Sequence, residues 1–255
     1  QRLPSPALGL SRHALDARLA DAFVAAGGTL RTGTRVADLA PRPGRVFALG
    51  RRRGSSEWIG LKIHARGLRM AHDLELHLGS GTYVGLSRVE DGWVNLCGLF
   101  RRRPVAAKGP PLLALYLRAA GLHGLAARLE AAETDAASFS AVAALSFERR
   151  PPPADRVSLG DACALIPPFT GNGMAMAFQG AELALDPLLA YARGSSGWDE
   201  VCRTVQARLR RRFRVRLASA GALHPFLLGA SGQHWLAKAV RSRLLPLRPL
   251  YSLLH

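Results

Sequence analysis

Lysine and acidic residues are scarce in this sequence. Of its 35 basic residues only Lys62, Lys108 and Lys238 are lysines, and 18 Asp and Glu leave a formal net charge of +17. Such a charge ordinarily indicates nucleic acid or an acidic membrane surface as a partner. Here the charge is nearly all arginine, in a chain also rich in Ala, Gly, Leu and Pro. A compositional bias of the whole chain therefore explains the charge as well as a binding face does, and no specific nucleic-acid partner is predicted.

Cysteine is also scarce, and the sequence contains no metal-binding pattern. The three cysteines lie far apart, at Cys97, Cys163 and Cys202. Three histidines in the first half, His64, His72 and His77, are not completed by a carboxylate pair. The chain begins without an initiator Met or an apolar signal segment. We therefore predict a reduced, cytoplasmic compartment and no metal site. The 255 residues, 48% of them hydrophobic, suffice for one large or two small cores.

The most informative stretch is V-S-L-G-D-A-C-A-L-I-P-P-F-T-G-N-G-M-A-M-A, residues 157–177. A β-prone run is followed by Gly160 and Asp161, an apolar stretch ends at two prolines, and Gly171-Asn172-Gly173 opens a helix. Glycines let backbone N–H groups converge, and the helix start adds unpaired donors and a positive dipole end. This order predicts a turn for a phosphate or another electron-rich group. The Asp161 carboxylate would accept from a sugar or ribityl hydroxyl.

At these residues the chain resembles the flavoprotein monooxygenases and geranylgeranyl-reductase-like FAD oxidoreductases, whose late motif is G-D-A followed by P, G-x-G and a small-residue helix. The resemblance implies that Asp161 binds the ribityl chain of FAD and that the glycine turn sets the helix start against the flavin. The implied cofactor-binding residues are Gly160, Asp161, Pro168, Gly171, Asn172, Gly173 and Met174. No catalytic side chain is assigned, because in such enzymes the cofactor supplies the reactive chemistry.

The N-terminal segment shows a second part of the resemblance. Ser11 is placed to cap a helix with apolar positions at Leu15, Leu19 and Phe23, which Gly27 and Gly28 end before a predicted strand over residues 29–36. This order is similar to a family segment whose arginine lies near the FAD. The resemblance therefore adds Arg12 to the cofactor-binding residues. A solvated surface arginine is the alternative.

Two motifs of the family are missing. No G-x-G-x-x-G follows a strand before Arg12, although the family begins with one in the βαβ unit that binds the ADP half of FAD. The Ala/Gly-Asp-Gly turn of the family is replaced by F-A-L-G-R-R-R at residues 47–53. We therefore expect an incomplete Rossmann-like domain, as a fragment with an internal deletion or as a degenerate relative. The fragment is the favoured interpretation.

The middle of the chain alternates with the period of a strand. Runs at residues 58–64, 74–78, 82–86 and 93–99 are separated by turn residues, which predicts an antiparallel meander. The resemblance implies that this sheet is the substrate domain and walls the reactive face of the flavin. His64 and Tyr83 are candidates to face a substrate, with core or rim packing as the alternative.

Helices are predicted after the sheet. Residues 112–132 indicate one or two helices broken near Gly121 and Gly124, and residues 139–148 indicate another strand. A basic amphipathic helix is predicted over residues 198–218, with seven arginines around its apolar side: Arg203, Arg208, Arg210, Arg211, Arg212, Arg214 and Arg216. Residues 217–237 carry no charge, but their histidines, glycines and proline argue against a membrane span. Packing as a helical cap or lying on an anionic membrane are the better interpretations.

Together these patterns predict an α/β chain in four segments. Residues 1–56 are the remnant of an FAD-binding domain, 57–150 a substrate-binding antiparallel β-sheet domain, 151–197 the FAD-binding motif, and 198–255 a C-terminal basic helical region. The resemblance implies an FAD-dependent oxidoreductase, with NAD(P)H as a candidate donor, that hydroxylates or reduces a lipophilic or aromatic small molecule. It would be cytoplasmic or peripheral at the inner face of the membrane. The alternative is a non-catalytic basic module that binds a membrane surface or nucleic acid.

Overall fold

The computed structural model describes residues 9–51, 57–143, 145, 147, 152–242 and 244. The chain divides into two compact units. The sheet unit consists of Gln1–Leu39 and Ile59–Val142, and the helical unit of Ala40–Trp58 and Ala143–His255. The four segments predicted above were assigned by function. The division into compact units does not test them, and they stay a prediction.

A five-stranded sheet forms the centre of the sheet unit. Its strands are β2 (Trp58–Arg66), β3 (Leu74–Gly79), β4 (Thr82–Arg88), β5 (Trp93–Arg101) and β6 (Glu133–Ala143). Their order across the sheet is β3-β4-β5-β2-β6, and β3, β4 and β5 are antiparallel neighbours. The predicted meander is thus confirmed for three strands. The prediction was wrong for β2, which lies beside β5 and β6, because alternation gives the face of each side chain but not the partner of each strand.

One face of this sheet and two helices enclose the core of the unit. Helices α2 (Pro111–Ala119) and α3 (His123–Glu130) pack with the buried side chains of the strands, among them Leu61, Ile63 and Leu96. The break between the helices lies at Gly121, whose φ of 80° is left-handed, whereas Gly124 lies inside α3. The predicted break near Gly121 and Gly124 is therefore confirmed, and it covers residues 120–122. Strand β6 begins at Glu133 rather than near residue 139.

Helix α1 (Arg12–Ala25) opens the described part of the chain. The Ser11 hydroxyl accepts a hydrogen bond from the Ala14 N–H at 3.1 Å, so the predicted cap is confirmed. Gly27 follows with a φ of 86°. The predicted strand over residues 29–36 is wrong: these residues are exposed and lie in no strand. A β-prone run forms a strand only where a partner satisfies its backbone groups, and no described strand pairs with this one.

The helical unit joins a short parallel strand pair to three helices. Strand β1 (Val46–Phe47) pairs with β7 (Val157–Ser158), which was predicted over residues 157–159. The helices are α4 (Gly173–Ala192), α5 (Trp198–Leu228) and α6 (Ala230–Arg241). The buried side chains include Val157, Met176, Val201, Val205, Leu209 and Phe213. The predicted apolar side of the basic helix is therefore the side that packs into the core.

Helix α5 continues ten residues beyond its predicted end at residue 218, through Pro225 to Leu228. The uncharged stretch 217–237 is consequently divided between α5 and α6, with Gly229 between them. Among the described residues, no helix combines the length and the apolar character that a membrane crossing requires.

Candidate functional site

The carboxyl end of β7 leads into a tight turn that holds the predicted acidic residue. The Leu159 N–H donates to the Phe47 carbonyl at 2.9 Å, which fixes the end of the parallel pair. Gly160 then takes a left-handed φ of 59° and starts a 3₁₀ turn, Gly160–Ala162. The turn places the Asp161 side chain at the surface. The predicted order of strand, Gly and Asp is thus present, with the carboxylate outside the core.

A second 3₁₀ turn, Pro168–Thr170, precedes the glycines. The Pro167 carbonyl accepts from the Thr170 N–H at 3.2 Å and from the Thr170 hydroxyl at 3.0 Å. The same hydroxyl accepts from the Asn172 N–H at 3.3 Å. Gly171 closes the turn in the left-handed region with φ 67°. Glycine is favoured here by its backbone conformation.

Helix α4 begins directly after this turn. Its first residue is Gly173, and the buried Asn172 accepts from the Met176 N–H through its backbone carbonyl at 2.9 Å. A Cβ placed on Gly171 or Gly173 would meet no atom within 4 Å. The first turn of a helix presents N–H groups that lack an acceptor within the helix. The helix start therefore faces open space with the positive end of its dipole.

The structure brings seven of the eight predicted cofactor-binding residues into one segment of the helical unit. Pro168 and Met174 are exposed beside the turn, together with Asp161 and Gly171. Arg12, the eighth, belongs to the sheet unit. Its guanidinium pairs with the Asp16 carboxylate at 3.2 Å, one helical turn away, and both side chains are exposed. The assignment of Arg12 to the cofactor stays a prediction.

An aromatic cluster that no sequence pattern indicated supports the turn. The buried His224 ring of α5 stacks on Phe169, with 6.2 Å between centroids and 9° between planes. Phe147 contacts the same imidazole edge-on at 4.8 Å, and Trp58 lies at 6.0 Å. Burial lowers the pKa of His224 to about 4, so the ring is neutral at pH 7. His224 thus packs as a neutral ring beneath the residues that lead into Gly171.

Two arginines of α5 tie this helix to α4. Arg216 is buried and donates from Nη1 to the Gln179 Oε1 at 3.0 Å. Burial lowers its pKa, as does the charge of Arg212. Arg208 donates to the Leu183 carbonyl at 3.3 Å. Of the seven arginines predicted around the apolar side of this helix, Arg216 is therefore buried, because its position turns towards α4.

The second face of the sheet carries polar residues. Lys62, His64, Asn95 and Cys97 alternate with the buried side chains of β2 and β5. His64 is half-buried, and burial, with the nearby Lys62 ammonium, lowers its pKa. The Asn95 amide nitrogen contacts the Cys97 sulfur at 3.8 Å. Tyr83 is buried. Within the described residues, no group of three His, Cys, Asp or Glu side chains is arranged to hold a metal ion.

Comparison with known proteins places this arrangement in a structural context. No protein-family model and no curated protein matches the sequence significantly. Among solved structures, PqsL of Pseudomonas aeruginosa, a probable FAD-dependent monooxygenase, aligns with TM-score 0.53 and 19% identity over 73% of this chain and 57% of PqsL. HpxO of Klebsiella pneumoniae, solved with FAD and uric acid, aligns with TM-score 0.58 and 16% identity over 82% and 58% of the chains.

A third solved structure, the halogenase PltM, aligns with TM-score 0.67 and 12% identity over 84% of this chain and 52% of PltM. The chain therefore spans between half and three fifths of the length of these three structures. The shared features are an antiparallel sheet in a mixed α/β chain. At such identities the likeness establishes the architecture alone, and the chain has the fold of FAD-dependent monooxygenases.

Proposed function

We propose that this chain is the FAD-binding and substrate-binding part of an oxidoreductase that acts on a small molecule. The observation that carries the proposal is the ordered segment from β7 to α4, in which an exposed Asp161, a left-handed Gly171 and the start of a long helix follow one another. The fold of FAD-dependent monooxygenases supports the same assignment. Hydroxylation is the favoured reaction, and reduction of a lipophilic alkene, as in geranylgeranyl-reductase-like enzymes, is the alternative.

The residues of the turn fit a flavin cofactor in charge and in space. Asp161 would accept from a ribityl hydroxyl, and the backbone of residues 171–173 would approach the isoalloxazine where no side chain intervenes. The positive end of α4 would favour electron density on the ring. FAD supplies the redox chemistry when bound. The protein would contribute binding, orientation and exclusion of water, with NAD(P)H as the proposed source of reducing equivalents.

The substrate is proposed to be aromatic or lipophilic, and to contact the polar face of the sheet. PqsL has been solved with 2-aminobenzoylacetate and HpxO with uric acid. In this chain, Lys62 offers a positive charge for an anionic substituent, and the neutral His64 offers a hydrogen-bonding ring beside it. The exposed Leu74 and Leu76 of β3 add apolar surface. A cytoplasmic location is proposed, consistent with three free thiols.

The chain by itself is expected to hold FAD weakly. The favoured explanation for the missing G-x-G-x-x-G is that polypeptide outside residues 1–255 supplies the pyrophosphate-binding helix start and the acidic ribose contact. Protein purified with excess FAD should therefore leave gel filtration nearly colourless. The measurement is the ratio of flavin to protein absorbance in the eluted peak. A stoichiometric yellow complex would contradict the fragment interpretation. The remaining interpretation would be that the chain is a degenerate relative of the family.

A membrane-surface role is the second candidate function, and α5 and α6 favour it. Arg210, Arg211 and Arg214 are exposed and line an open hollow of about 350 Å³. On α6, Trp235 is 61% exposed and the Lys238 ammonium lies 5.6 Å from its ring centre. Exposed Trp beside cationic side chains is typical of helices that lie at a lipid interface. We propose a peripheral contact with an anionic membrane.

Replacing Arg210, Arg211 and Arg214 by glutamine should weaken binding to anionic vesicles by roughly a hundredfold, at about 1 kcal/mol for each arginine near the surface. Sedimentation with vesicles of phosphatidylserine and phosphatidylcholine measures the effect, and binding should fall as salt rises. A truncation at residue 198 is unsuitable, since α5 contributes Val201 and Val205 to the core.

The matched control for this triple variant removes three exposed arginines of the sheet unit, Arg31, Arg35 and Arg102. Equal losses of binding to anionic vesicles in the two variants would mean that net charge alone drives binding. Equal sedimentation with neutral and anionic vesicles would exclude the electrostatic contact. Tight binding of duplex DNA at physiological salt would instead favour the non-catalytic nucleic-acid module.

A further inference from the structure

Three exposed arginines of α5 have no partner of opposite charge. Arg210, Arg211 and Arg214 form no hydrogen bond or ion pair with any residue that the structure describes. By contrast, Arg208 on the same helix faces Asp186, with 3.6 Å between nitrogen and oxygen. The three unpaired side chains line an open hollow of about 350 Å³ in the helical unit. We call this feature the arginine hollow.

Helical spacing brings these three side chains together. Arg214 lies three positions after Arg211 and four after Arg210, and residues at these spacings are neighbours on a helix surface. The positions one turn before and one turn after them hold exposed alanines, Ala207 and Ala218. Residues 201–228 contain no Asp or Glu. Because like charges at this spacing repel, α5 keeps three guanidinium groups close together without an anion of its own.

A phosphate monoester fits the arginine hollow in charge and in geometry. Guanidinium groups are planar forks that bind two phosphate oxygens at once through charge-assisted hydrogen bonds. A monoester carries a charge of about −1.5 to −2 at pH 7 and offers three oxygens as strong acceptors. The volume of the hollow equals that of roughly a dozen waters at about 30 Å³ each, so a tetrahedral anion has room there.

We propose that the arginine hollow is a discrete binding site for a phosphate monoester, supplied by a lipid headgroup or by a soluble molecule. A diester group, as in phosphatidylserine or nucleic acid, has a single charge and two free oxygens, and it would leave more of the arginine charge unbalanced. The membrane contact proposed above needs only the summed charge of α5, whereas this site distinguishes a monoester from a diester. For the lipid source, the inference rests on that proposed contact.

The test changes the three side chains without changing the net charge. Arg210→Lys, Arg211→Lys and Arg214→Lys together keep three positive charges but remove the planar forks. The probes are phosphatidylcholine vesicles that contain phosphatidic acid or phosphatidylserine, mixed to equal zeta potential. In sedimentation the parent should bind the phosphatidic acid vesicles at least tenfold more tightly, and the triple variant should bind both equally. The matched control, Arg212→Lys, changes an exposed arginine outside the hollow and should keep the parental preference.

Calorimetric titration with inorganic phosphate, at an ionic strength held constant with sodium chloride, separates the two sources. Phosphate binding that the triple variant loses, without a preference for phosphatidic acid, would identify a soluble monoester. The vesicle preference without phosphate binding would identify the headgroup.

Three results would overturn the site: neither effect in the parent, a parental preference in the triple variant, or tighter binding of duplex DNA than of either phosphate probe. Equal sedimentation with neutral and anionic vesicles would remove the proposed membrane contact. Phosphate binding that the triple variant loses would then still support the arginine hollow, so the two proposals fail separately.

Discussion

Asp161→Ala is expected to weaken FAD binding by about ten- to a hundredfold in the protein that contains a complete dinucleotide-binding unit. A carboxylate that accepts from a ribityl hydroxyl makes a charge-assisted hydrogen bond, worth about 1.5–3 kcal/mol in mutational series. Such a loss corresponds to that change in dissociation constant. Because the side chain is exposed at a turn, the fold should remain intact. Titration of flavin fluorescence measures affinity, and far-ultraviolet circular dichroism measures folding.

Two glycine variants separate backbone strain from access of the ligand. Gly171→Val places a β-branched residue at a φ of 67°, which should reduce stability and flavin affinity together. Gly173→Val differs, since Gly173 is the first residue of α4 and a Cβ there has open space. Its fold should survive while the branched side chain obstructs the approach of the flavin. The dihedral requirement lies at Gly171, and under the proposed function the access requirement is expected at Gly173.

The control for these three variants is Arg193→Ala, an exposed position just after α4. It should bind FAD as the parent does. A folded Asp161→Ala protein with parental affinity would show that the carboxylate does not contact the cofactor. Parental affinity in Gly173→Val as well would remove the site from the turn altogether.

The sequence predicted the turn well because its signals are local. Glycines with left-handed φ at positions 160 and 171, prolines before the turn and small residues after it each restrict the backbone within a few residues. The meander was predicted for the same reason. Alternation within each run gave the faces of β3, β4 and β5, and short turns joined them in order.

The errors concern pairings between distant segments. Residues 29–36 have the composition of a strand, but no described partner accepts them. Strand β1 has two residues, too few for a periodic signal, and becomes a strand only beside β7, more than a hundred residues later. The position of β2 between β5 and β6 depends on β6 returning to the sheet. Local propensity contains none of this information.

His224 shows the same limit at the candidate site. In the sequence it lies within an uncharged stretch, where it argued only against a membrane span. In the structure its ring stacks on Phe169, 55 positions earlier in the chain. His224 of α5 therefore packs against the turn, and the burial of its ring also lowers its pKa.

The stability of the helical unit is expected to fall by up to about 3 kcal/mol between pH 6.5 and pH 4 because of His224. In the folded protein burial lowers the pKa of His224 to about 4, against 6.5 for the ordinary side chain. Above pH 6.5 the ring is neutral in both states, and its full contribution is present. As the pH falls, the unfolded chain takes up the proton first, so unfolding becomes progressively more favourable until the folded ring titrates as well.

Glu75 and His64 also affect the pH dependence of stability, but each can be distinguished from His224. Although burial opposes it, hydrogen bonds from His77, the Ala71 N–H and Arg128 lower the pKa of Glu75 to about 2. The contribution of Glu75 to stability is therefore lost only as the pH falls below its ordinary pKa of 4.5. Most of the loss expected from His224 occurs above that pH. His64, whose pKa burial also lowers, acts in the same direction as His224 but lies in the sheet unit. Urea unfolding at a series of pH values, followed by fluorescence and circular dichroism, measures these slopes.

His224→Phe is the variant that isolates the proton from the packing. Phenylalanine keeps an aromatic ring against Phe169 and Phe147 and does not ionise, so the midpoint should become nearly independent of pH between 6.5 and 4.5. A change in absolute stability at pH 7.5 would reflect packing and leaves this expectation unaffected, since the slope is the quantity compared. His64→Gln is the control and should retain most of the parental slope. If His224→Phe keeps the parental slope while His64→Gln loses it, the half-buried His64 of the sheet unit sets the acid sensitivity, and His224 does not.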